Sequence, residues 1–396
     1  MKIGIFTDIY NPLLNGVTTS INSLKQGLES LGYEIYIITT QFYSCEPTKE
    51  KNIIRIKGIR LPLKNIENFY YVLNYKKHLD KIRKLNLDLI HIQTEFSIGS
   101  LGIYLSKKLK LPLVYTSHTM YDVFIKYNNG FLIKIFRKII LKYFDYLLKK
   151  FINNADIVIV PTLKIFNIFT KKYKIEDKCK VIATGIDLKK FQNINSDDFK
   201  IKKIKYELEL KNDFICLYVG RISKEKKIDF LLESFSIFCS ICPNSKFLII
   251  GDGDEKKKLQ KKYKKLNLNK KIFFLGFIEN DLIGLYYKLG NVFLSASSFE
   301  TQGLTILEAL ASSVPVLAFY DSAFDKIIKD DENGFFYYSQ EQLIRKLVYL
   351  YSNRDKFKKL ILNQDKLFFL YSIENFVLNI SEIYKKIILT NKNKIE

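Results

Sequence analysis

Short apolar runs alternate along this chain with longer stretches whose apolar positions recur every three or four residues, and the alternation persists almost from end to end. Short runs bounded by polar turns read as buried parallel strands, and the longer patterns as the crossover helices that connect them. Strands are predicted at residues 2–7, 33–40, 87–92, 112–117, 155–160 and 179–182, separated by helices near 16–31, 70–85, 97–110, 130–152 and 162–172. A polar, charged interval from Lys189 to Asn212 follows, and the alternation then restarts with strands near 214–219, 246–250, 272–275, 291–295, 314–318 and 335–337. The last stretch, about 340–390, is helical without strands. The fold class is therefore α/β, with two doubly wound domains. In open parallel sheets ligands lie beyond the carboxyl ends of the strands, so two such domains facing each other are expected to form a cleft. Domains are drawn at 1–190 and 191–370, with a C-terminal helix at 371–396 that can cross back to the first. A length of 396 residues also exceeds what one core usually serves.

Composition adds a charge asymmetry. The net charge is +23, and residues 1–190 carry 31 Lys and Arg against 15 Asp and Glu, so the first half holds most of the excess. Such a surface attracts polyanions, whether nucleic acid, an anionic membrane or a phosphorylated substrate. A nucleic-acid partner is disfavoured, because no helix-turn-helix, zinc-finger or ribonucleoprotein-type strand motif accompanies the charge. The five cysteines (45, 179, 216, 239 and 242) are odd in number and unframed, which fits a reduced compartment, and with three His they make a structural zinc site improbable. No signal-peptide layout and no 18-residue apolar run occurs, so the expected location is cytoplasmic, with any membrane association peripheral and at the inner face.

The sharpest chemical motif is Ser295-Ala-Ser-Ser-Phe-Glu300-Thr-Gln-Gly303-Leu304-Thr305-Ile-Leu-Glu308, which leaves a strand and enters a helix near Gly303. Bare N–H groups at a helix start attract anions, and a glycine there lets a diphosphate approach the backbone. Glu308 is placed to reach ribose hydroxyls and Glu300 to bind sugar hydroxyls; the competing reading makes both ordinary acids near a capped helix. Gly220 and Arg221 end another predicted strand, and Lys226 follows five residues on. Such cations neutralise a departing diphosphate, although a solvated Lys-rich helix start would have the same composition. Asn15-Gly16 opens the first helix of the chain, and His118 stands just past the strand at 112–117. Alone, the first is a common turn and the second a structural histidine.

Together these stretches resemble glycosyltransferase family four, whose fold is GT-B, two Rossmann-like domains. Two Glu eight positions apart within Phe299-Glu300-Thr-Gln-Gly303-Leu-Thr-Ile-Leu-Glu308 carry the resemblance. Asn11-Pro12 to Val17, Tyr115 to Tyr121, Thr184-Gly-Ile-Asp187, Val219-Gly-Arg221 to Lys227 and Gly251-Asp-Gly253 agree in order and spacing. The resemblance implies a nucleotide-sugar co-substrate, UDP-glucose being the expected one, with no tightly bound cofactor and no metal. It makes Gly16, Gly220, Arg221, Lys226, Gly303, Leu304, Thr305 and Glu308 donor-binding residues, and His118 and Glu300 the catalytic pair. It also implies retention of configuration. Related enzymes often carry two glycines where this chain has Asn15-Gly16, so the first of those positions departs from the pattern.

Within that family the wording around His118-Thr-Met-Tyr121 is similar to the diacylglycerol glucosyltransferases of wall-less and low-GC Gram-positive bacteria, which implies a lipid acceptor and glycolipid synthesis. Over 131–151, Lys134, Lys138, Lys142, Asp145 and Lys149 share a narrow polar face, with Phe136, Ile139, Ile140, Tyr143, Leu147 and Phe151 roughly opposite. A basic amphipathic helix of this kind can lie in the headgroup region of an anionic bilayer, so Tyr121, Lys134, Arg137, Lys138 and Lys142 are assigned to the acceptor or membrane side. The competing reading packs the same apolar face on the sheet. A soluble or polyprenyl-linked glycan acceptor is the alternative within the fold, and a basic nucleic-acid-binding protein the alternative outside it.

Overall fold

A computed structural model describes the chain except for residues 14, 42–50, 61–69, 74, 121–124, 126–134, 196–197, 265–267, 269, 298, 355–363 and 394–396. It divides into two compact units, one comprising Met1–Ile186 with Tyr371–Glu396 and the other Asp187–Leu370. Each is a parallel sheet wound with helices.

The sheet of the first unit is formed by β1 (Lys2–Phe6), β2 (Glu34–Thr40), β3 (Ile53–Ile56), β6 (Leu89–Ile92), β7 (Leu113–Thr116), β8 (Ile157–Val160) and β9 (Cys179–Val181), in the order β3-β2-β1-β6-β7-β8-β9. Successive side chains of a strand point to opposite faces, so a sheet covered on both sides needs apolar residues at consecutive positions. β1 meets that demand: Ile3 and Ile5 join one core with the Gly16–Ser30 and C-terminal Ile373–Lys392 helices, while Phe6 joins the other with the Ser97–Leu109, Arg137–Asn154 and Leu163–Tyr173 helices. Local signals set the helix ends. The Asn15 side chain accepts from Thr18 N at 3.0 Å, and the Ser372 hydroxyl from Asn375 N at 3.1 Å, each relieving an orphan N–H of a first turn.

Residues 70–85 depart from the predicted single helix. Tyr70–Tyr71 is a strand (β5) paired antiparallel with Ile59–Arg60 (β4), Tyr75–His78 is a 3-10 turn, and only Leu79–Arg83 is helical. Tyr70 and Val72 are buried, and Val72 N donates to Ser97 Oγ at 3.0 Å, so tertiary partners override the local pattern. β3 is likewise absent from the predicted elements. Its four residues include Arg55, whose guanidinium reaches Asn11 O at 3.0 Å.

The second unit has six strands, β10 (Phe214–Val219), β11 (Ser245–Ile250), β12 (Ile272–Gly276), β13 (Val292–Ser295), β14 (Val316–Phe319) and β15 (Gly334–Tyr337), ordered β12-β11-β10-β13-β14-β15. Phe214, Cys216 and Tyr218 face a core with Leu231, Phe235 and Phe238 of the Ile228–Ile241 helix. Strand order reverses between β1 and β6 in one unit and between β10 and β13 in the other, and such a switch point opens the crevice where doubly wound sheets bind ligands.

The C-terminal helix is seated on the first unit by close packing. A Cβ built on Gly27 would stand 2.3 Å from Val377 Cγ2, and Tyr33 hydrogen-bonds Ser381 at 2.6 Å. Gly27→Val is therefore expected to cost about 1–3 kcal/mol by overpacking, read as a lower urea midpoint. An unchanged midpoint would show that the helix is not held there.

Candidate functional site

In the second unit the side chains of interest gather where strand order reverses. β10 ends at Val219, and Gly220 turns the chain with φ +149°, its N–H bonded to Ile250 O at 3.0 Å. A Cβ on the neighbouring Gly251 would stand 2.0 Å from Gly220 O, so the two strand ends close up as only glycine allows. Arg221 Nη2 lies 2.5 Å from Glu225 Oε1, which also accepts from Ser223 Oγ at 2.7 Å. Burial pushes the Glu225 carboxyl up, but Ser223 and Arg221 outweigh it and hold it below the usual range.

Lys226, on the loop after β10, forms an ion pair with Glu300, on the loop after β13. Their side chains are only 24% and 17% exposed. Glu300 is fixed from its other side as well, because its N–H donates to Asp321 Oδ2 at 3.1 Å and the buried Asp321 also accepts from Ala323 N at 2.9 Å. The loops after three adjacent strands thus converge on Glu300, one holding its carboxylate and another its backbone N–H.

Gly303 precedes the Leu304–Ala311 helix with φ +79°, a left-handed conformation that a side chain would strain, and an added Cβ would stand 2.4 Å from Phe324 Cε1. Leu304 and Thr305 form the first turn, whose N–H groups have no partner within the helix. Glu308 lies one turn on and accepts from the Tyr287 hydroxyl at 2.7 Å. Burial raises its carboxyl pKa, with Tyr287 and Lys190 acting in the opposite direction. Ser297, just past β13, has a buried hydroxyl with no hydrogen-bond partner among the described residues. The structure therefore brings Lys226 and Glu300 into contact. Gly220, Arg221, Gly303, Leu304, Thr305 and Glu308 lie on the loops and the helix start that follow β10 and β13.

The first unit shows a related layout. Gly16 begins the helix after β1, and among the described residues nothing beyond its chain neighbours and its own helix backbone lies within 4 Å of a Cβ built on it, while the buried Thr18 Oγ1 beside it has no partner among them. Asn15 caps this helix, so the position that departs from the family pattern has a structural use. Asp8 is fully buried and accepts from Thr94 Oγ1 at 2.7 Å, Ser97 Oγ at 2.8 Å and Ile98 N at 2.8 Å, which satisfies the start of the Ser97–Leu109 helix. His118 follows β7, with Nε2 2.6 Å from Gln93 Oε1, and burial lowers its pKa to about 4, so the ring is neutral near pH 7.

Arg137, Lys138 and Lys142 are exposed on the N-terminal half of the Arg137–Asn154 helix. Tyr121 and Lys134 lie outside the described residues. The two readings of this helix divide along its length. Leu147, Leu148, Phe151 and Ile152 are buried, whereas Phe136, Ile139, Tyr143 and Tyr146 are exposed, Ile139 and Tyr146 each at 65%. Among the described residues no helix is long and apolar enough to cross a membrane, and no group of three His, Cys, Asp or Glu is placed to hold a metal ion.

Gln93, Ser297, Asp321 and Tyr287 were not singled out by sequence reasoning. The polar run Gln93-Thr94-Glu95 directly after an apolar strand was an available signal, since polar residues at a strand's carboxyl end face the ligand side of such sheets. Tyr287 lies inside a helix and gives no comparable sign.

Residues 14–190 match Glycosyltransferase Family 4 and residues 200–367 match Glycosyl transferases group 1. The chain is 38% identical over 396 residues to alpha-monoglucosyldiacylglycerol synthase of Acholeplasma laidlawii, covering 100% of this chain and 99% of that one. It is 34% identical to the protein of the same name from Streptococcus pneumoniae, over 99% of this chain and 87% of the other. Among solved structures, Anabaena HepE in complex with UDP and glucose superposes with a TM-score of 0.75 at 17% identity, over 97% of this chain and 99% of that one. The architecture is GT-B, built of two Rossmann-like domains. Similarity over its whole length, with each half matched by its own family description, makes this chain a member of the group 1, family 4 glycosyltransferases.

Proposed function

We propose that this glycosyltransferase moves glucose from UDP-glucose to diacylglycerol, with retention of configuration, at an anionic membrane surface. The observation that carries the reading is the Lys226–Glu300 ion pair at the strand-order switch of the second unit, beside the helix start at Gly303. A sugar nucleotide presents a diphosphate and a ring of hydroxyls. The first calls for cations and free helix-start N–H groups, the second for a fixed carboxylate, and this corner of the fold supplies both.

In the reaction, the bond from the anomeric carbon to the phosphate oxygen breaks while a bond to the acceptor hydroxyl forms on the same face. The acceptor proton passes to the departing phosphate oxygen, and UDP leaves. Arg221 and Lys226 stabilise the charge that develops on the diphosphate, Glu300 holds sugar hydroxyls and Glu308 the ribose. His118, neutral by burial, has Nε2 against Gln93 and so offers its other ring nitrogen to position a substrate hydroxyl.

The lipid acceptor is supported by the two long relatives, both named for diacylglycerol glucosylation, and by the basic, apolar end of the Arg137–Asn154 helix. Exposed Ile139, Tyr143 and Tyr146 would enter the headgroup region while Arg137, Lys138 and Lys142 pair with anionic lipid, each contributing about 1 kcal/mol. The large positive charge supports the same partner.

Glu300→Ala and Arg221→Ala are expected to lower glucose transfer to vesicle-borne diacylglycerol by about 100-fold or more with the fold retained, although Glu300→Ala, which leaves Lys226 unpaired, lowers the unfolding midpoint modestly. Normal turnover in either variant would refute the donor-site assignment. Liposome flotation is expected to require anionic lipid, to weaken with added salt, and to weaken further in Ile139→Ser/Tyr143→Ser/Tyr146→Ser. Equal binding to neutral vesicles would defeat the electrostatic argument.

A further inference from the structure

Behind His118 lies a chain of buried polar groups that the transfer chemistry above does not use. His91 sits on β6 with no exposed surface, its Nδ1 2.5 Å from the Tyr384 hydroxyl of the C-terminal helix and its Nε2 2.7 Å from Thr116 Oγ1 on β7. Gln93, also buried, places its amide nitrogen 3.1 Å from His91 Nε2 and 3.3 Å from Nδ1, and its amide oxygen 2.6 Å from His118 Nε2. Its backbone N–H bonds to Phe6 O at 2.9 Å, so Gln93 stands at the point where strand order reverses in this unit.

We propose that Tyr384, His91 and Gln93 act as positioning residues that hold His118 as its Nε2–H tautomer, so that Nδ1 carries the lone pair offered to a substrate hydroxyl. The inference rests on the transferase reading for its purpose, but not for its geometry.

A neutral imidazole has one N–H and one lone pair, and which nitrogen holds which is set by the partner of either one. The partner of His118 Nε2 is an amide, which can present oxygen or nitrogen, so the question becomes what fixes the amide. His91 answers it. Burial lowers the pKa of His91 to about 3, so its ring is neutral; its in-plane N–H and lone pair face the Tyr384 and Thr116 hydroxyls, and the Gln93 amide nitrogen, at similar distances from both ring nitrogens, lies against the ring face, which attracts an N–H. A flipped amide would turn its carbonyl toward the electron-rich face of a ring whose single N–H is committed to Thr116 or Tyr384. The oxygen would then be left without a donor in a dry interior, at a cost of about 1–3 kcal/mol. The Gln93 oxygen therefore faces His118, and an acceptor at that distance requires Nε2 to donate. A chain serving packing alone could have been apolar throughout; this one runs from the C-terminal helix to His118, a residue just past a strand end that is only partly buried.

The test uses the full-length protein labelled with 15N at histidine, which has only three such residues, His78, His91 and His118. Two-bond 15N–1H correlation spectra near pH 7.5 read each ring's tautomer without substrate. The expected wild-type result is a His118 ring protonated at Nε2; a ring protonated at Nδ1 overturns the proposal without any variant. Gln93→Met, which keeps bulk but removes the amide, is expected to give mixed His118 tautomers and a kcat lowered about 10- to 100-fold, with the donor KM within about twofold of wild type. Gln93→Glu, which retains an oxygen facing Nε2, is expected to restore the Nε2–H signal. Tyr384→Phe is expected to alter the His91 spectrum and to shift kcat in the same direction by a smaller factor. Wild-type His118 spectra and kcat in Gln93→Met would overturn the assignment. Because the spectra need no sugar nucleotide, a failure of the transferase reading and a failure of this one are distinguishable.

Discussion

The ion pair between Lys226 and Glu300 ties together the loops after β10 and β13, the two strands between which the sheet order of the second unit reverses. Both groups are mostly withdrawn from water, so neither charge is cheaply left alone there, and breaking such a pair by removing one partner typically costs about 3–5 kcal/mol when burial is complete. Partial exposure reduces that figure here. The consequence is a carboxylate held in place, with a cation beside it, on the loop that leads to a helix start that cannot tolerate a side chain at Gly303. The proposed donor-binding assignments of the second unit depend on that corner staying intact.

The two units solve the same problem differently. In the second, polar groups at the strand ends are charged and paired: Arg221 with Glu225, Lys226 with Glu300, and Asp321 with backbone N–H groups. In the first, burial favours neutral groups, so His91 and His118 are both depressed, and the buried Asp8 is raised by burial despite its hydrogen bonds. A charged corner suits a diphosphate, and a neutral hydrogen-bonding corner suits hydroxyl groups.

Much of this was legible in the sequence because it follows from periodicity and local chemistry. Apolar runs such as Phe214–Val219 identify buried parallel strands, and a glycine before Leu-Thr-Ile-Leu marks a helix start. What was missed depends on partners distant in the chain. Tyr70–Tyr71 reads as part of a helix until Ile59–Arg60 is there to pair with it. The partnerships of Gln93 with His118, Glu300 with Asp321 and Tyr287 with Glu308 span 25, 21 and 21 residues, distances over which no spacing rule operates. The Arg137–Asn154 helix shows a third kind of limit. Its apolar stripe is continuous in sequence, but the core buries it only from Leu147 onward, with Ile140, Leu141 and Phe144 partly buried and Ile139, Tyr143 and Tyr146 exposed, and periodicity cannot say where a stripe leaves the core.

The most direct measurement of the central claim is calorimetric titration of UDP into wild type, Lys226→Met and Glu300→Gln. If the corner at β10 and β13 holds the donor as described, Lys226→Met should bind UDP about tenfold more weakly or worse, while Glu300→Gln, which faces the sugar rather than the diphosphate, should bind UDP nearly as wild type does. Wild-type affinity in Lys226→Met would contradict the account.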